Sequence, residues 1–354
     1  MEKYDDDIKI TEGHMHILFE MSVDKTVHII NDYMSQAGYS KVALLALPYV
    51  TKSEGELLTQ NINTIYCKSK LKEKAYAFGA LLHNFDDSDS AEGYINQARE
   101  LIKQGFDGFK MFEGKPSLRK KLAKRLDDSI FDLFYEFCEN EEIPIIFHLA
   151  DPPVFWDAEN IDEAFVKNGW FCDETYPKKK EFHEELEGIL KKFPKLHMTV
   201  AHFSFLSDNI EYAEYLLENY KNLCFDLAPN PYEFIDFEKN HDLWRAFFIK
   251  YSDRIIYGTD SYNVEKPRYE KNILRTFLET DEFIKVDGIE VKCFNLPREV
   301  LENIYYNNFE RSVKVVRKVN KNMVLNHAKK LLDFVKNEEN AIENIKKVIS
   351  DFGN

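Results

Sequence analysis

The sequence lacks the features that mark several large classes of protein. Its five cysteines are odd in number and widely spaced, with no C-x-x-C pair, which indicates reduced thiols in an intracellular protein. No run approaches about eighteen consecutive apolar residues, and the stretch from Met1 to Asp7 lacks the basic and apolar regions of a secretion signal. We therefore expect a soluble, cytoplasmic protein that does not span a membrane.

Basic residues are also scarce relative to acidic ones. The net charge is −15 and the isoelectric point is near 5.2. Nucleic-acid-binding proteins carry a basic face that neutralises phosphates, so a nucleic-acid partner is not expected. The chain has 354 residues, 44% hydrophobic and 31% charged, with no repeat, low-complexity tract or linker. This length exceeds the usual single domain only as an α/β barrel does, so one large domain is predicted.

Eight short apolar runs alternate with helical stretches along the first three quarters of the chain. The runs cover residues 10–17, 42–48, 75–81, 108–112, 143–149, 196–202, 222–227 and 254–260. The helical stretches cover residues 24–37, 54–72, 90–104, 128–140, 181–193, 208–220 and 240–251. Alternation of buried strands with helices is typical of a parallel sheet, and eight such units predict a (β/α)₈ TIM barrel.

The remaining segments are an insertion and a C-terminal region. Residues 150–180 form a long insertion rich in Pro, Trp, Asp and Tyr, which we expect to be ordered and to cover the site. A helix at 266–279 and a hairpin at 283–294, turning at Asp287-Gly288, follow the barrel. Apolar residues recur at helical spacing from 320 to 351, so this tail should pack. We predict a barrel over 1–312 and a helical extension over 313–354, packed on the barrel or at the interface of a homodimer or higher homo-oligomer.

The first apolar run contains an H-x-H motif. His14 and His16 are two positions apart, so in a strand both side chains point to the same face. Gly13 allows another segment of backbone to pass close by. Imidazole nitrogens that converge on one point bind divalent metal ions, although two ligands alone do not hold a catalytic ion.

Polar residues end most of the other apolar runs. Barrel enzymes place their chemistry at the carboxyl ends of the strands, so these are the candidate site residues. They are His14 and His16, Lys110, His148, His202, Asp226 and Asp260. Such groups are costly to bury without partners, so together they indicate a metal site.

Each candidate has a structural and a functional interpretation. His148 is either a core histidine bonded to a carbonyl or a metal ligand, and its position favours the ligand. His202 could bind a second metal, act as a general base or be a structural donor, and we favour a catalytic or electrophilic role. Asp260 is either a helix cap or a carboxylate that binds the ion and receives a proton from its water, and we favour the second interpretation.

Lys110 leaves three roles open. Its amine could bind an anionic group of the substrate, pair with a carboxylate or, when neutral, take up carbon dioxide and bridge two metal ions. Of the remaining histidines only His83, at the end of the third run, is a candidate, and a structural role is favoured for it.

The chain resembles the amidohydrolase superfamily, specifically the amidohydrolase-related branch of metal-dependent hydrolases and non-oxidative decarboxylases. The segments that carry the resemblance are His14-Met15-His16, Phe147-His148-Leu149, Val200-Ala201-His202-Phe203, Gly258-Thr259-Asp260 and the stretch from Leu296 to Asn308. They occur in order, at plausible spacing, between Ile8 and about Ser312.

The resemblance implies that His14, His16, His148 and Asp260 belong to a metal site and that His202 lies beside it. It also implies that Lys110 occupies the position of the carboxylated lysine in two-metal members. Glu12 departs from the pattern, which often has Asp before the H-x-H motif.

The predicted function is hydrolysis by a metal-activated water. One or two ions of Zn²⁺, or of another divalent metal such as Mn²⁺, would activate water for attack on an amide, lactone or related carbonyl. Asp260 would move the proton and His202 would polarise the carbonyl oxygen. The alternatives are non-oxidative decarboxylation of an unsaturated or aromatic acid and a non-catalytic metal-binding scaffold.

The expected substrate is a small molecule, and a carboxylate on it is favoured. Lys110 could hold that carboxylate together with Lys115 or Arg119, although solvated helix charges are the favoured interpretation of the latter two. Trp156, Trp170 and Tyr176 in the insertion could form a pocket wall, and scaffold packing is an equal alternative.

Overall fold

Nine short parallel strands form the central sheet. The structure is a computed structural model and describes residues 7–17, 21–50, 53–262, 269–336 and 338–353. The strands are β1 Thr11–His16, β2 Lys41–Leu45, β3 Ala75–Gly79, β4 Gly108–Gly114, β5 Ile145–Leu149, β6 Met198–Val200, β7 Leu223–Asp226, β8 Ile255–Ile256 and β9 Ser261–Tyr262. Each of β1 to β7 pairs with the next, β8 pairs with β7, and β9 pairs with β1. The predicted (β/α)₈ barrel is therefore confirmed.

The barrel is closed by residues 255–262, which we call the closing segment. Its first part, β8, pairs with β7 through Asp226 and Ile256, and its second part, β9, pairs with β1 through Met15 and Ser261. Between them the N–H of Tyr257 turns away from the barrel and donates to the carbonyl of Ile304 at 2.9 Å. The prediction of one continuous strand over 254–260 is thus wrong, because residues 257–260 leave the regular ladder.

Helices surround the barrel. They are α1 Val23–Ala37, α2 Glu54–Leu71, α3 Ala91–Gln104, α4 Pro116–Leu122, α5 Asp132–Asn140, α6 Glu163–Lys167, α7 Lys179–Lys192, α8 Ile210–Asn219, α9 Pro231–Lys239, α10 His241–Lys250, α11 Tyr269–Glu279, α12 Arg298–Glu302, α13 Asn308–Ser312, α14 Lys321–Phe334 and α15 Glu339–Gly353. Helices α4, α6 and α9 were not predicted, and residues 266–268 of the helix predicted at 266–279 lie outside the described residues. No helix within the described ranges is both long and apolar enough to cross a lipid bilayer.

Local sequence explains where the first helices begin and end. Ser22 and Ser90 cap α1 and α3 by accepting backbone N–H groups with their hydroxyls. Both helices end at a glycine in the left-handed conformation, Gly38 at φ 70° and Gly105 at φ 112°. A residue without Cβ adopts that conformation without strain, which is why the two glycines predicted the ends of these helices correctly.

The interior of the barrel is apolar at its amino-terminal end. Leu45, Phe78, Ile146 and Ile256 belong to one buried cluster that also contains Phe309 of α13. The ring of Phe309 lies 6.0 Å from that of Phe78. This apolar plug leaves the opposite, carboxyl-terminal end of the barrel as the place where polar side chains gather.

The C-terminal extension packs against the outside of the barrel. Helices α14 and α15 contact α2, and α14 also contacts α3. Asn344 of α15 accepts the backbone N–H of Val23 at 3.0 Å. The segment before α14 is anchored by the buried ammonium of Lys68, which donates to both Asp107 carboxylate oxygens and to the carbonyl of Arg317. The extension is therefore an integral part of the outer layer.

The predicted hairpin is present. Strand β10, Phe283–Val286, pairs antiparallel with β11, Ile289–Lys292. Asp287 and Gly288 connect them with φ values of 48° and 84°. Two central residues at positive φ are typical of the tight turns that Asp-Gly favours, so this turn is confirmed.

Candidate metal centre

The H-x-H motif lies on a fully buried strand. His14 and His16 are both buried, and their Nε2 atoms lie 3.0 Å apart. Gly13 makes the packing of this strand possible, because its N–H donates to Tyr257 at 3.0 Å and a Cβ here would lie 2.7 Å from the same carbonyl oxygen. The close approach predicted for Gly13 is thus the contact between β1 and the closing segment.

Hydrogen bonds on the far sides of these two imidazoles fix their protons. His14 Nδ1 lies 2.7 Å from Asp226 Oδ2, and His16 Nδ1 lies 3.3 Å from the carbonyl oxygen of Leu45. Because both partners only accept, each neutral ring keeps its proton on Nδ1 and presents a lone pair at Nε2. Burial helps to keep His14 neutral, since it lowers the pKa of this group well below its ordinary value.

Asp260 adds a third ligand atom at the same point. Its Oδ1 lies 3.5 Å from His14 Nε2 and 3.2 Å from His16 Nε2. Two imidazole nitrogens and a carboxylate oxygen that converge in this way offer three donor atoms to a cation. Among the described residues, His14, His16 and Asp260 form the group whose geometry could hold a metal ion. Nitrogen and oxygen donors in this combination suit Zn²⁺ and Mn²⁺.

The closing segment brings Asp260 to this point. Gly258 lies against His14, where a Cβ would be 2.8 Å from the His14 Cβ. Asp260 itself has a φ of 52°, and a third of its side chain is exposed, whereas His14 is completely buried. Burial would raise the pKa of Asp260, but the neighbouring imidazoles of His16, His202 and His14 outweigh burial and hold it well below the usual range. Asp260 is therefore an ionised carboxylate that faces the opening of the barrel.

Glu12 supports the ligands from behind. One of its oxygens accepts the N–H of His14 at 2.9 Å and the N–H of Thr259 at 3.0 Å, and the other accepts the Thr259 hydroxyl. Burial raises the pKa of Glu12 to about 8. The longer side chain at this position thus ties β1 to the closing segment.

Lys110 reaches the same centre from β4. Its Nζ lies 3.1 Å from His14 Nε2, and the side chain is almost completely buried. Burial lowers the pKa of Lys110 to about 8, although Asp226 and Asp260 favour its charged form. An amine with this pKa is neutral in an appreciable fraction of molecules at neutral to mildly alkaline pH.

His202 and His148 lie side by side next to this group. Their ring centroids are 4.9 Å apart, and the ring of His202 lies 5.2 Å from that of His14. His202 Nδ1 lies 2.8 Å from the carbonyl oxygen of Ala228, which leaves Nε2 available. His148 does not belong to the group of three ligand atoms, since its Nε2 is turned towards Asp151, 3.5 Å away. Burial lowers the pKa of His148 to about 3, so this ring is neutral.

Asp226 is a candidate residue for which no role was predicted. One of its oxygens bonds to His14 Nδ1, and the other accepts the backbone N–H of His202 at 2.9 Å. Burial raises the pKa of Asp226 to about 6. Its position at the end of β7 was the available signal. A single carboxylate thus orients two histidines.

A left-handed turn positions His202. His202, Phe203, Ser204 and Phe205 follow one another with φ values of 54°, 50°, 55° and 49°. For non-glycine residues this conformation costs roughly 1–2 kcal/mol per residue. His183 supports the turn through the Ser204 hydroxyl at 3.1 Å.

Burial of Phe203 offsets part of the strain of this turn. Its ring is fully buried among five aromatic side chains. They are Phe225, Phe237, Trp244, Phe247 and Phe248. Burying a phenylalanine side chain stabilises a fold by about 1.5–3 kcal/mol, and aromatic pairs add to this. The ring therefore anchors the backbone that aims His202.

We expect Phe203→Ala to lower both stability and activity. Loss of the buried ring should reduce the free energy of unfolding by about 3–5 kcal/mol and release the turn that holds His202. Phe248→Ala is the matched control, because it removes the ring stacked on Phe203 but leaves the turn intact. Denaturant titration and activity assays well below the melting temperature should show similar destabilisation but greater loss of kcat for Phe203→Ala. Equal losses of kcat would contradict this explanation.

The aromatic residues of the insertion contact other residues of the insertion and the helix α4. Trp156 donates its Nε1–H to the carbonyl of Pro177 at 3.0 Å. The ring of Trp170 stacks on Phe165 at 5.5 Å and is 41% exposed. Tyr176 lies under the ammonium of Lys120, 3.9 Å from the ring centroid. These contacts account for the ordered insertion, and substrate contact by the three side chains stays a prediction.

Two charges of the helix after β4 were interpreted wrongly as solvated. Arg119 is buried and donates twice to the Glu185 carboxylate, at 3.1 and 2.9 Å. Lys115 donates to Asp151 at 2.7 Å. Both cations are therefore engaged within the protein.

His83 is held by structural partners. Its Nε2 lies 2.8 Å from Glu113 and its Nδ1 lies 2.8 Å from the hydroxyl of Tyr94. Both ring nitrogens are thus occupied, in agreement with the structural role favoured for this residue.

Comparison with known proteins agrees with this architecture. The family model described as "Amidohydrolase" matches residues 69–312, well over half of the chain. No curated protein sequence matches the chain.

Solved structures with similar folds include enzymes of different reactions. A probable 2-pyrone-4,6-dicarboxylic acid hydrolase from Acinetobacter baumannii has 11% identity and a TM-score of 0.53, over 87% of this chain and 100% of that one. 4-Oxalomesaconate hydratase from Rhodopseudomonas palustris has 13% identity and a TM-score of 0.53, over 92% of this chain and 99% of that one. A dihydroxybenzoic acid decarboxylase from Polaromonas sp. JS666, with bound manganese, has 12% identity and a TM-score of 0.51, over 88% of this chain and 98% of that one.

At these identities the structural likeness shows the fold, and the family match shows the relationship. The parallel barrel and the match over residues 69–312 lead to the same conclusion. The chain belongs to the amidohydrolase family.

Proposed function

We propose that this protein is a metal-dependent hydrolase that attacks a C–N or C–O bond of a small substrate. The observation that carries the proposal is the convergence of His14 Nε2, His16 Nε2 and Asp260 Oδ1 within 3.5 Å of one another. Acceptors on the far sides of both rings direct these lone pairs to one point, as in metal sites with oriented histidines. A divalent ion held there would polarise a carbonyl and lower the pKa of a bound water.

Asp260 is the proposed proton carrier. A third of its side chain is exposed, so it can reach an attacking water and accept its proton. The same carboxyl can then pass that proton to the leaving nitrogen or oxygen. His14 and His16 are too deeply buried to make this exchange with the substrate.

His202 is the proposed partner of the carbonyl oxygen. Its Nδ1–H is committed to Ala228, so Nε2 is the atom that can contact the substrate. With a proton on Nε2 the ring donates to the developing oxyanion, an interaction that strengthens in the transition state. The hydrogen bond from its backbone N–H to Asp226 fixes the position of His202 relative to His14, which bonds to the same carboxylate.

Lys110 and His148 complete the proposed site. As an ammonium, Lys110 would bind the substrate carboxylate, and as a carbamate it would supply oxygens to a second ion. Its burial and the pKa near 8 support either state, which a mass spectrum of the intact protein distinguishes by the added mass of carbon dioxide. His148 would join as a further ligand through Nδ1, because its Nε2 is directed at Asp151.

Decarboxylation on the same site is the alternative reaction. The solved structures with similar folds include a dihydroxybenzoic acid decarboxylase that carries manganese. That reaction would use the same ion and His202 but would break a C–C bond and release carbon dioxide. The source of the oxygen atoms in the product therefore separates the two reactions.

The test is metal analysis followed by a substrate panel in water labelled with heavy oxygen. The panel contains lactones, amides and unsaturated or aromatic carboxylic acids. We expect bound Zn²⁺ or Mn²⁺ and one heavy oxygen in a product carboxylate. Release of carbon dioxide without label would establish decarboxylation. Bound metal with no turnover of any compound would favour a non-catalytic metal-binding scaffold.

A further inference from the structure

Asp151 occupies a buried position between a histidine and a lysine. It follows β5 and is 3% exposed. Its Oδ1 lies 3.5 Å from His148 Nε2 and accepts the ammonium of Lys115 at 2.7 Å. This carboxylate therefore joins the end of β5 to the start of α4.

His148 needs such a partner. Its Nε2 is buried and makes no hydrogen bond of normal length within the described part of the chain, and the Asp151 carboxylate 3.5 Å away is its ion-pair partner. A neutral ring that directs its Nε2–H at Asp151 keeps its lone pair on Nδ1. The arrangement mirrors that of His14, whose Nδ1–H is directed at Asp226 and whose lone pair is on Nε2.

Lys115 in turn is held by the insertion. Its ammonium lies 5.6 Å from the ring centroid of Trp170 and 5.9 Å from that of Phe155. The rings of Phe155, Phe165 and Trp170 pack against one another at 5.2–5.7 Å. Cation–π contacts of this kind favour a charged lysine at this position. A continuous set of contacts thus runs from the insertion through Lys115 and Asp151 to His148.

We propose that Asp151 is a positioning residue that sets the tautomer and orientation of His148 for metal binding, and that Lys115 and the aromatic cluster of the insertion hold Asp151 in place. The inference rests on the proposed function, in which His148 is a metal ligand. It adds a route by which the position of the insertion changes metal affinity. Partners behind a metal-binding histidine commonly have this effect.

Zinc affinity measured by competition with a chromogenic chelator is the first test. Asp151→Ala should weaken zinc binding roughly 10- to 100-fold, the usual effect of losing a partner behind a metal-binding histidine. Trp170→Ala should weaken it by a smaller factor. Glu159→Ala is the control, because it removes an exposed acidic residue from the same insertion. Circular dichroism verifies that each variant is folded.

The absorption spectrum of the cobalt-loaded protein is the second test. If Asp151 acts through His148, Asp151→Ala and His148→Ala should show the same altered visible bands, because both lose the same ligand. Asp151→Asn keeps an acceptor oxygen and should restore the wild-type bands even if Asp151→Ala folds poorly.

The outcomes separate this inference from the proposed function. A wild-type protein that binds neither zinc nor cobalt overturns the proposed function and this inference with it. Tight binding and a wild-type spectrum in Asp151→Ala overturn this inference alone. Unchanged zinc affinity in Trp170→Ala overturns the proposal that the insertion helps to hold Asp151 in place.

Discussion

Replacing Asp260 by Asn is expected to abolish turnover and leave the fold intact. The carboxamide has nearly the same shape but cannot accept the proton of an attacking water. Loss of a positioned acid–base group usually costs roughly 10²- to 10⁴-fold in kcat, and Asp260 is also a proposed metal ligand. Because a third of this side chain is exposed, the substitution should cost little stability.

Activity per bound metal ion is the quantity to measure for Asp260→Asn. Metal content must be determined with kcat, since a weaker ligand also lowers occupancy. Asp253→Asn provides the control, because it makes the same change at an exposed residue just before β8. Retained turnover in Asp260→Asn at full metal occupancy would exclude the proton-carrier role.

Removing the metal is expected to eliminate activity and lower thermal stability. A chelator should bring turnover to background, and Zn²⁺ or Mn²⁺ should restore it. A ligand that binds only the folded state at 100 times its Kd stabilises that state by about 2.7 kcal/mol, so melting should occur at a higher temperature when metal is present. The physical reason for the higher melting temperature is that His14 Nε2, His16 Nε2 and Asp260 Oδ1 are brought together only in the folded state.

In His14→Ala, added metal should neither restore turnover nor raise the melting temperature. Without its Nε2 the group of three converging ligand atoms is lost. His28→Ala is the matched control, because the side chain of His28 is 76% exposed on α1. A melting temperature that rises equally with metal in wild type and His14→Ala would place the metal elsewhere on the protein.

The ends of the strands were predictable because burial constrains them. A polar residue at the end of an apolar run must find a partner, and in a parallel barrel all such ends meet at one face. This reasoning alone brought His14, His16, Lys110, His202 and Asp260 into one neighbourhood. The same reasoning gave the barrel, since eight buried strands alternating with helices have few other ways to pack.

Contacts across the barrel interior were not predictable. Asp226 on β7 bonds to His14 on β1, although these strands are not neighbours in the sheet. The bond depends on how far each strand protrudes, which sequence spacing does not reveal. The buried ion pair of Arg119 and Glu185 was not predicted either, because a buried charged residue on a short helix cannot be distinguished by sequence from a solvated one.

Backbone conformation at the site was the other gap. Nothing in His202-Phe203-Ser204-Phe205 signals four positive φ values, since glycine and asparagine are absent. The conformation is imposed by the burial of Phe203, a tertiary effect. Likewise, the apolar run ending at Asp260 predicted one strand, whereas the closing segment divides its hydrogen bonds between β7 and β1.

The closing segment also determines when the metal centre can form during synthesis. His14 and His16 leave the ribosome early, whereas Asp260 is added only after strands β1 to β8 have been made. Until residues 255–262 emerge, the nascent chain has neither the third ligand nor the contact between Gly13 and Tyr257 that aligns β1. The three converging ligand atoms of His14, His16 and Asp260 therefore come together only when the barrel is complete.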